Sequence, residues 1–78
     1  MFAELMSRLY EFTDKYELRL EIWANNEIFK FKIFGKDQTW CYDKAVSREQ
    51  MGVYPNYISY INHLIDYIRL ELASKGLI

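Results

Sequence analysis

One proline, three glycines, one cysteine and one histidine are all that this 78-residue chain has of the residue types that punctuate loops, form bridges or ligate metals. So little Pro and Gly excludes a collagen-like fibre and a linker-rich array. Hydrophobic residues make up 51% and charged ones 27%, which excludes a disordered tail. The lone Cys41 cannot close an internal disulfide and points to a reducing, cytoplasmic setting. Ten basic against eleven acidic residues leave a net charge of −1, so no overall field draws the chain to nucleic acid or to an anionic membrane. No apolar run approaches the length of a membrane span, and Glu4 and Arg8 interrupt the pattern a signal peptide would need. What is left is one small folded domain over 1–78, with few residues to spare from its core.

The first segment has helical periodicity. Phe2, Leu5, Met6, Leu9, Phe12 and Tyr16 recur three and four residues apart, which keeps them on one side of a helix over 2–16. On the other side Glu4 precedes Arg8, and Glu11 precedes Lys15, by four residues, the favourable order for exposed ion pairs. From Glu17 the period changes to two. Leu18, Leu20 and Ile22 alternate with Glu17, Arg19 and Glu21, and Asn25-Asn26 follows as a pair suited to a tight hairpin turn. A two-residue loop there sets Ile22 opposite Phe29, Leu20 opposite Phe31, Leu18 opposite Ile33, and Glu21 opposite Lys30, with Trp23 opposite Ile28 on the outer face. Gly35-Lys36-Asp37 signals a second hairpin that brings Trp40 opposite Ile33, Tyr42 opposite Phe31, and Asp43 beside Lys30.

Residues 47–54 read as a connector. Ser47 and Gln50 have the spacing of a capping box, so a short helical turn runs to Met51 and stops at Gly52. Pro55 cannot continue a strand, Asn56 is a suitable N-cap, and a helix runs from Tyr57 to Ser74 with Lys75 and Gly76 at its end. The expected architecture is α+β, in the order α-β-β-β-α, with a three-stranded antiparallel sheet and both helices on one face. Its core would hold Phe2, Leu5, Leu9, Phe12, Leu18, Leu20, Ile22, Phe29, Phe31, Ile33, Trp40, Tyr42, Ile61, Leu64, Ile65, Ile68 and Leu72.

The residues left outside that core carry the functional reading. Tyr60, His63, Tyr67 and Leu70 line a flank of the last helix, and Trp23 with Ile28 lies on the open face of the sheet, where Phe34 also points. Half-exposed tyrosines often just cover the rim of their own core, but rigid aromatic side chains also concentrate where proteins meet. These six residues are therefore the protein-interface candidates, with a homodimer as the simplest arrangement.

Chemistry has little to work with. A single His and a single Cys on different elements make no metal site, and no cofactor motif occurs: Gly35, Gly52 and Gly76 are scattered turn positions and form neither a P-loop nor a dinucleotide fingerprint. His63 has Ser59 and Asp66 within reach along its helix, but no pocket or oxyanion hole is implied around them. Cys41 is expected on the outer face near Lys32, as a surface cysteine. The chain does not read as an enzyme.

The order α-β-β-β-α is similar to that of the double-stranded RNA-binding domain, a resemblance of topology alone. That family grips phosphates with lysines at the start of its last helix, where this chain has Pro55-Asn56-Tyr57-Ile58-Ser59 and no positive charge. Arg19, Lys30 and Lys32 with Trp23 offer a different nucleic-acid surface on the open sheet, shared with Glu17, Glu21 and Asp43. The favoured expectation is a non-enzymatic cytoplasmic protein-interaction module without cofactor or membrane contact. Accessory and inhibitor proteins of phages and other mobile elements share this profile, and the Ile, Tyr, Lys and Asn content suits an AT-rich bacterial or phage genome. The alternative is a weak nucleic-acid binder.

Overall fold

The computed structural model describes residues 2–52 and 56–78. Its elements run α1 (Phe2–Lys15), β1 (Arg19–Ala24), β2 (Ile28–Phe34), β3 (Cys41–Ser47), α2 (Arg48–Gly52) and α3 (Tyr57–Ser74). The strands form one antiparallel sheet in the order β1-β2-β3, and the expected α+β order is observed with the short α2 added before the last helix. The central strand shows why the sheet has two unlike faces: Phe29, Phe31 and Ile33 are buried while Lys30 and Lys32 between them are exposed. Leu5, Leu9 and Phe12 of α1 and Ile61, Leu64, Ile68 and Leu72 of α3 close over the apolar face. Each such side chain contributes roughly 1.5–3 kcal/mol by leaving water. Every expected core residue either lies in this cluster or packs against it, and Val46 and Met51 are fully buried in addition.

Both hairpins depart from the expected register, each by two residues. In the first, Leu20 faces Ile33, Glu21 faces Lys32, Ile22 faces Phe31, and Trp23 faces Lys30. The cause is Asn25: its Oδ1 accepts the N–H groups of Glu27 at 2.8 Å and Ile28 at 2.9 Å, while its own N–H donates to the Ile28 carbonyl. A side chain that satisfies two backbone donors holds Asn25 against Ile28 and moves the turn on to Asn26 and Glu27. In the second hairpin Asp37 accepts from the N–H and hydroxyl of Thr39, Gln38 takes a φ of 59°, and Gly35 N–H donates to the Trp40 carbonyl. Tyr42 accordingly faces Ile33, and Asp43 faces Lys32. Since side chains alternate with period two, a shift of two changes every partner and no face. Lys32, not Lys30, sits between Glu21 and Asp43; Ile28 faces Ser47, not Trp23; and Cys41 faces Phe34.

The connector behaves as expected where it is described: Ser47 N–H donates to Gln50 Oε1 and Gln50 N–H to Ser47 Oγ, the reciprocal capping box. The remainder of it, 53–55 with Pro55, lies outside the described residues. Asn56 Oδ1 caps α3 through Ser59 N–H at 2.8 Å. On α1 the expected Glu4–Arg8 pair gives way to a tertiary one, because half-buried Arg8 donates to Asn62 Oδ1 of α3 at 2.6 Å and pairs with Glu11 at 3.6 Å.

The two long helices end in the same way. Leu18 N–H reaches the Thr13 carbonyl and Glu17 N–H that of Asp14; Leu77 N–H reaches the Leu72 carbonyl and Gly76 N–H that of Ala73. Both are Schellman ends, with the turning residue at positive φ: Gly76 at 72° but Glu17 at 56°. Gly76→Ala is expected to cost about 1 kcal/mol, while Glu17→Gly raises the urea midpoint, since only glycine adopts this conformation without a side-chain penalty. At Gly35 an added Cβ would stand 2.7 Å from Cε2 and 2.9 Å from Cδ1 of the Trp40 indole. Gly35→Ala is therefore expected to lower stability by roughly 1–3 kcal/mol in the same measurement, with a change in Trp40 fluorescence.

Candidate functional site

With Ile61, Leu64, Ile68 and Leu72 turned into the core, the side chains next around α3 emerge on the flank away from Arg8 and α1. Tyr60 is half-buried against the core, His63 is exposed, and Tyr67 and Leu70 expose 54% and 60% of their surface. An open groove of about 350 Å³ is lined by Tyr60, His63, Leu64 and Tyr67 from α3 and by Lys44 from β3. Three of the four expected flank residues thus converge on one groove, and Leu70 continues the apolar surface beyond it.

Lys44 is the residue that the sequence reading missed. It shares the inward side of β3 with Tyr42 and Val46, faces Phe31 across the ladder, and places Nζ 5.5 Å from the centroid of the Tyr67 ring. The signal was available, because an inward Tyr42 obliges the residue two positions on to point inward as well. An ammonium beside an aromatic face, carried on a half-buried side chain, gives the groove a cation that the helix alone does not supply. Next to it the Tyr42 hydroxyl faces the Glu71 carboxylate. Burial, reinforced by the neighbouring Glu71 carboxylate and its negative charge, pushes the Tyr42 phenol well above its ordinary range.

The outer sheet face carries the other candidates in three cross-strand rows. Arg19, Phe34 and Cys41 form the first, Glu21, Lys32 and Asp43 the second, and Trp23, Lys30 and Ala45 the third. Trp23 is 57% exposed and Ile28 half-buried one turn of the ladder away. Two of the three cations on this face are engaged: Arg19 pairs with Glu21 and lies 4.6 Å from the Phe34 centroid, and Lys30 lies 5.4 Å from that of Trp23. Glu17 does not share the face; it turns at the end of α1 and pairs with Lys36, which holds its carboxyl below the usual range.

Of the Ser59, His63 and Asp66 set, Asp66 pairs with Arg69 at 3.7 Å, and Ser59 gives its main-chain N–H to the Asn56 cap of α3. Among the described residues no group of three His, Cys, Asp or Glu side chains could hold a metal ion, and no helix is long and apolar enough to cross a membrane.

The Tyr42 environment makes stability depend on alkaline pH. A phenol whose folded-state pKa is raised contributes stability that is intact below the unfolded value near 10 and lost as pH rises above it. Urea unfolding between pH 9 and pH 11.5, conditions set around the reference tyrosine pKa of about 10, is expected to show a steeper loss for the wild type than for Tyr42→Phe.

Comparisons with protein-family models, with curated proteins and with solved structures find no match, so the surface itself has to carry the functional reading.

Proposed function

We propose that this protein works without catalysis, by binding another protein through the aromatic flank of α3, and that it does so as a homodimer in the cytoplasm. The observation that carries the reading is that Tyr67 and Leu70 remain 54% and 60% exposed directly beside the groove of Lys44, Tyr60 and His63. Large rigid rings lose little entropy on binding and dominate contact energetics when a partner desolvates them. The groove suits a partner segment with an apolar side chain to lie between the two tyrosines and a carboxylate to meet Lys44. Trp23 and Ile28 on the outer face are a secondary contact candidate. Cytoplasmic location is favoured by the exposed free thiol of Cys41.

The nucleic-acid alternative through Arg19, Lys30, Lys32 and Trp23 is less well supported. A base stacking on Trp23 has to displace the Lys30 ammonium from the ring, and Lys32 is flanked by Glu21 and Asp43. Titration with single-stranded oligonucleotides at low salt is expected to show no saturable binding.

Affinity purification of the full chain from its native cell, wild type beside Tyr67→Asp, tests the flank. A shared partner should be lost or weakened by tenfold or more, roughly the effect of removing an interface anchor, with the circular dichroism spectrum unchanged because Tyr67 is exposed. Equal retention of every partner by the two proteins would contradict the proposal.

A further inference from the structure

We infer that the dimer is built by the free edge of β1, which pairs with the β1 edge of a second copy, antiparallel and centred on Leu20, to give a continuous six-stranded sheet. The inference rests on the homodimer proposed above but not on the flank of α3.

The edge is identified by its hydrogen bonds. Asn25 N–H donates to the Ile28 carbonyl, so by the alternation of an antiparallel ladder the main-chain groups of Arg19, Glu21 and Trp23 turn toward β2. Those of Leu20, Ile22 and Ala24 turn outward, and among the described residues none of them is bonded. The two edges of the sheet differ in how they are protected. β3 carries an inward-pointing charge, Lys44, the kind of device that discourages strand addition. The inward side chains of β1 are Leu20 and Ile22, half-buried and uncharged. Above this edge, on the side of α1 opposite Arg8, Met6 and Tyr10 expose 40% and 49% of their surface, so the apolar surface continues from the strand onto the helix.

Self-complementarity selects the occupant and the register. With a two-fold axis at Leu20, Arg19 lies opposite Glu21 of the second copy and Glu21 opposite its Arg19, turning the pair within each strand into a square of alternating charges. On the inner face Leu20 meets its own copy and Ile22 meets Leu18 of the second chain. A shift of the axis by one residue sets Glu21 against Glu21. Leu20 and its copy exchange two main-chain bonds, and each Ile22 N–H reaches the Leu18 carbonyl across the seam. The Leu18 N–H, already donated to the Thr13 carbonyl, is not required. The same axis brings the Met6 and Tyr10 sides of the two α1 helices toward each other.

Light scattering on the full chain tests this with substitutions confined to the exposed outer face. The wild type should have the mass of a dimer. Arg19→Glu and Glu21→Arg should each weaken dimerisation by about tenfold or more through like charges repeated across the axis. An equimolar mixture of the two variants should restore a dimer, because the strand that is acidic at both positions then meets the strand that is basic at both. Tyr67→Asp should dimerise like the wild type. A wild type that stays monomeric at its highest soluble concentration, single variants that dimerise unimpaired, a mixture that stays monomeric, or a dimer dissolved by Tyr67→Asp would each overturn the inference. The last of these would move the seam to α3 and leave the partner-binding flank standing.

Discussion

The alternation along β2 is the constraint on which the rest of the molecule depends. Phe29, Phe31 and Ile33 can leave water together only if one face of the sheet is covered, and Lys30 and Lys32 stay solvated only if the other face is left open. As the central strand, β2 imposes that division on both neighbours through its ladders. The two helices answer it from one side, α1 with Leu5, Leu9 and Phe12 and α3 with Ile61, Leu64, Ile68 and Leu72.

So small a core leaves its margins uncovered, and the margins are where the protein has surface to offer. Over β3 the overhanging flank of α3 is aromatic, and an inward Lys44 stands beneath Tyr67. Over β1 the flank of α1 offers Met6 and Tyr10, and the strand below offers unbonded main-chain groups. The two sides therefore suit different contacts. The guarded side fits a side-chain-mediated partner, and the unguarded side fits strand addition. The outer sheet face is the least available of the three surfaces, because its cations already lie over Phe34 and Trp23 or beside Glu21 and Asp43.

Much of this was legible in the residues, and the exceptions share one cause. The helices were readable because their apolar spacing and caps are local: Asn56, Ser47 with Gln50, and Gly76 act within a few residues of themselves. The inward and outward sides of the strands were readable because period two is local as well. Cross-strand partners were not, because the place of each turn depended on the Asn25 and Asp37 side chains bonding forward to the backbone, a choice that the dipeptide Asn-Asn does not reveal. The two-residue shift moved Trp23 from Ile28 to Lys30 and so changed an expected apolar pair into a ring covered by a cation. In the candidate site, Tyr60, His63 and Tyr67 could be read from helical spacing, whereas Lys44 enters from a strand distant in sequence.

Residue-resolved amide hydrogen exchange tests most directly whether β2 divides the molecule in this way. The amides of β2 should be protected throughout, those of Lys30, Lys32 and Phe34 by β1 and those of Phe29, Phe31 and Ile33 by β3, with alternate residues of each edge strand exchanging faster under conditions where the chain is monomeric. Uniformly fast exchange along β2, or an alternation displaced by one residue on either edge, would contradict the account.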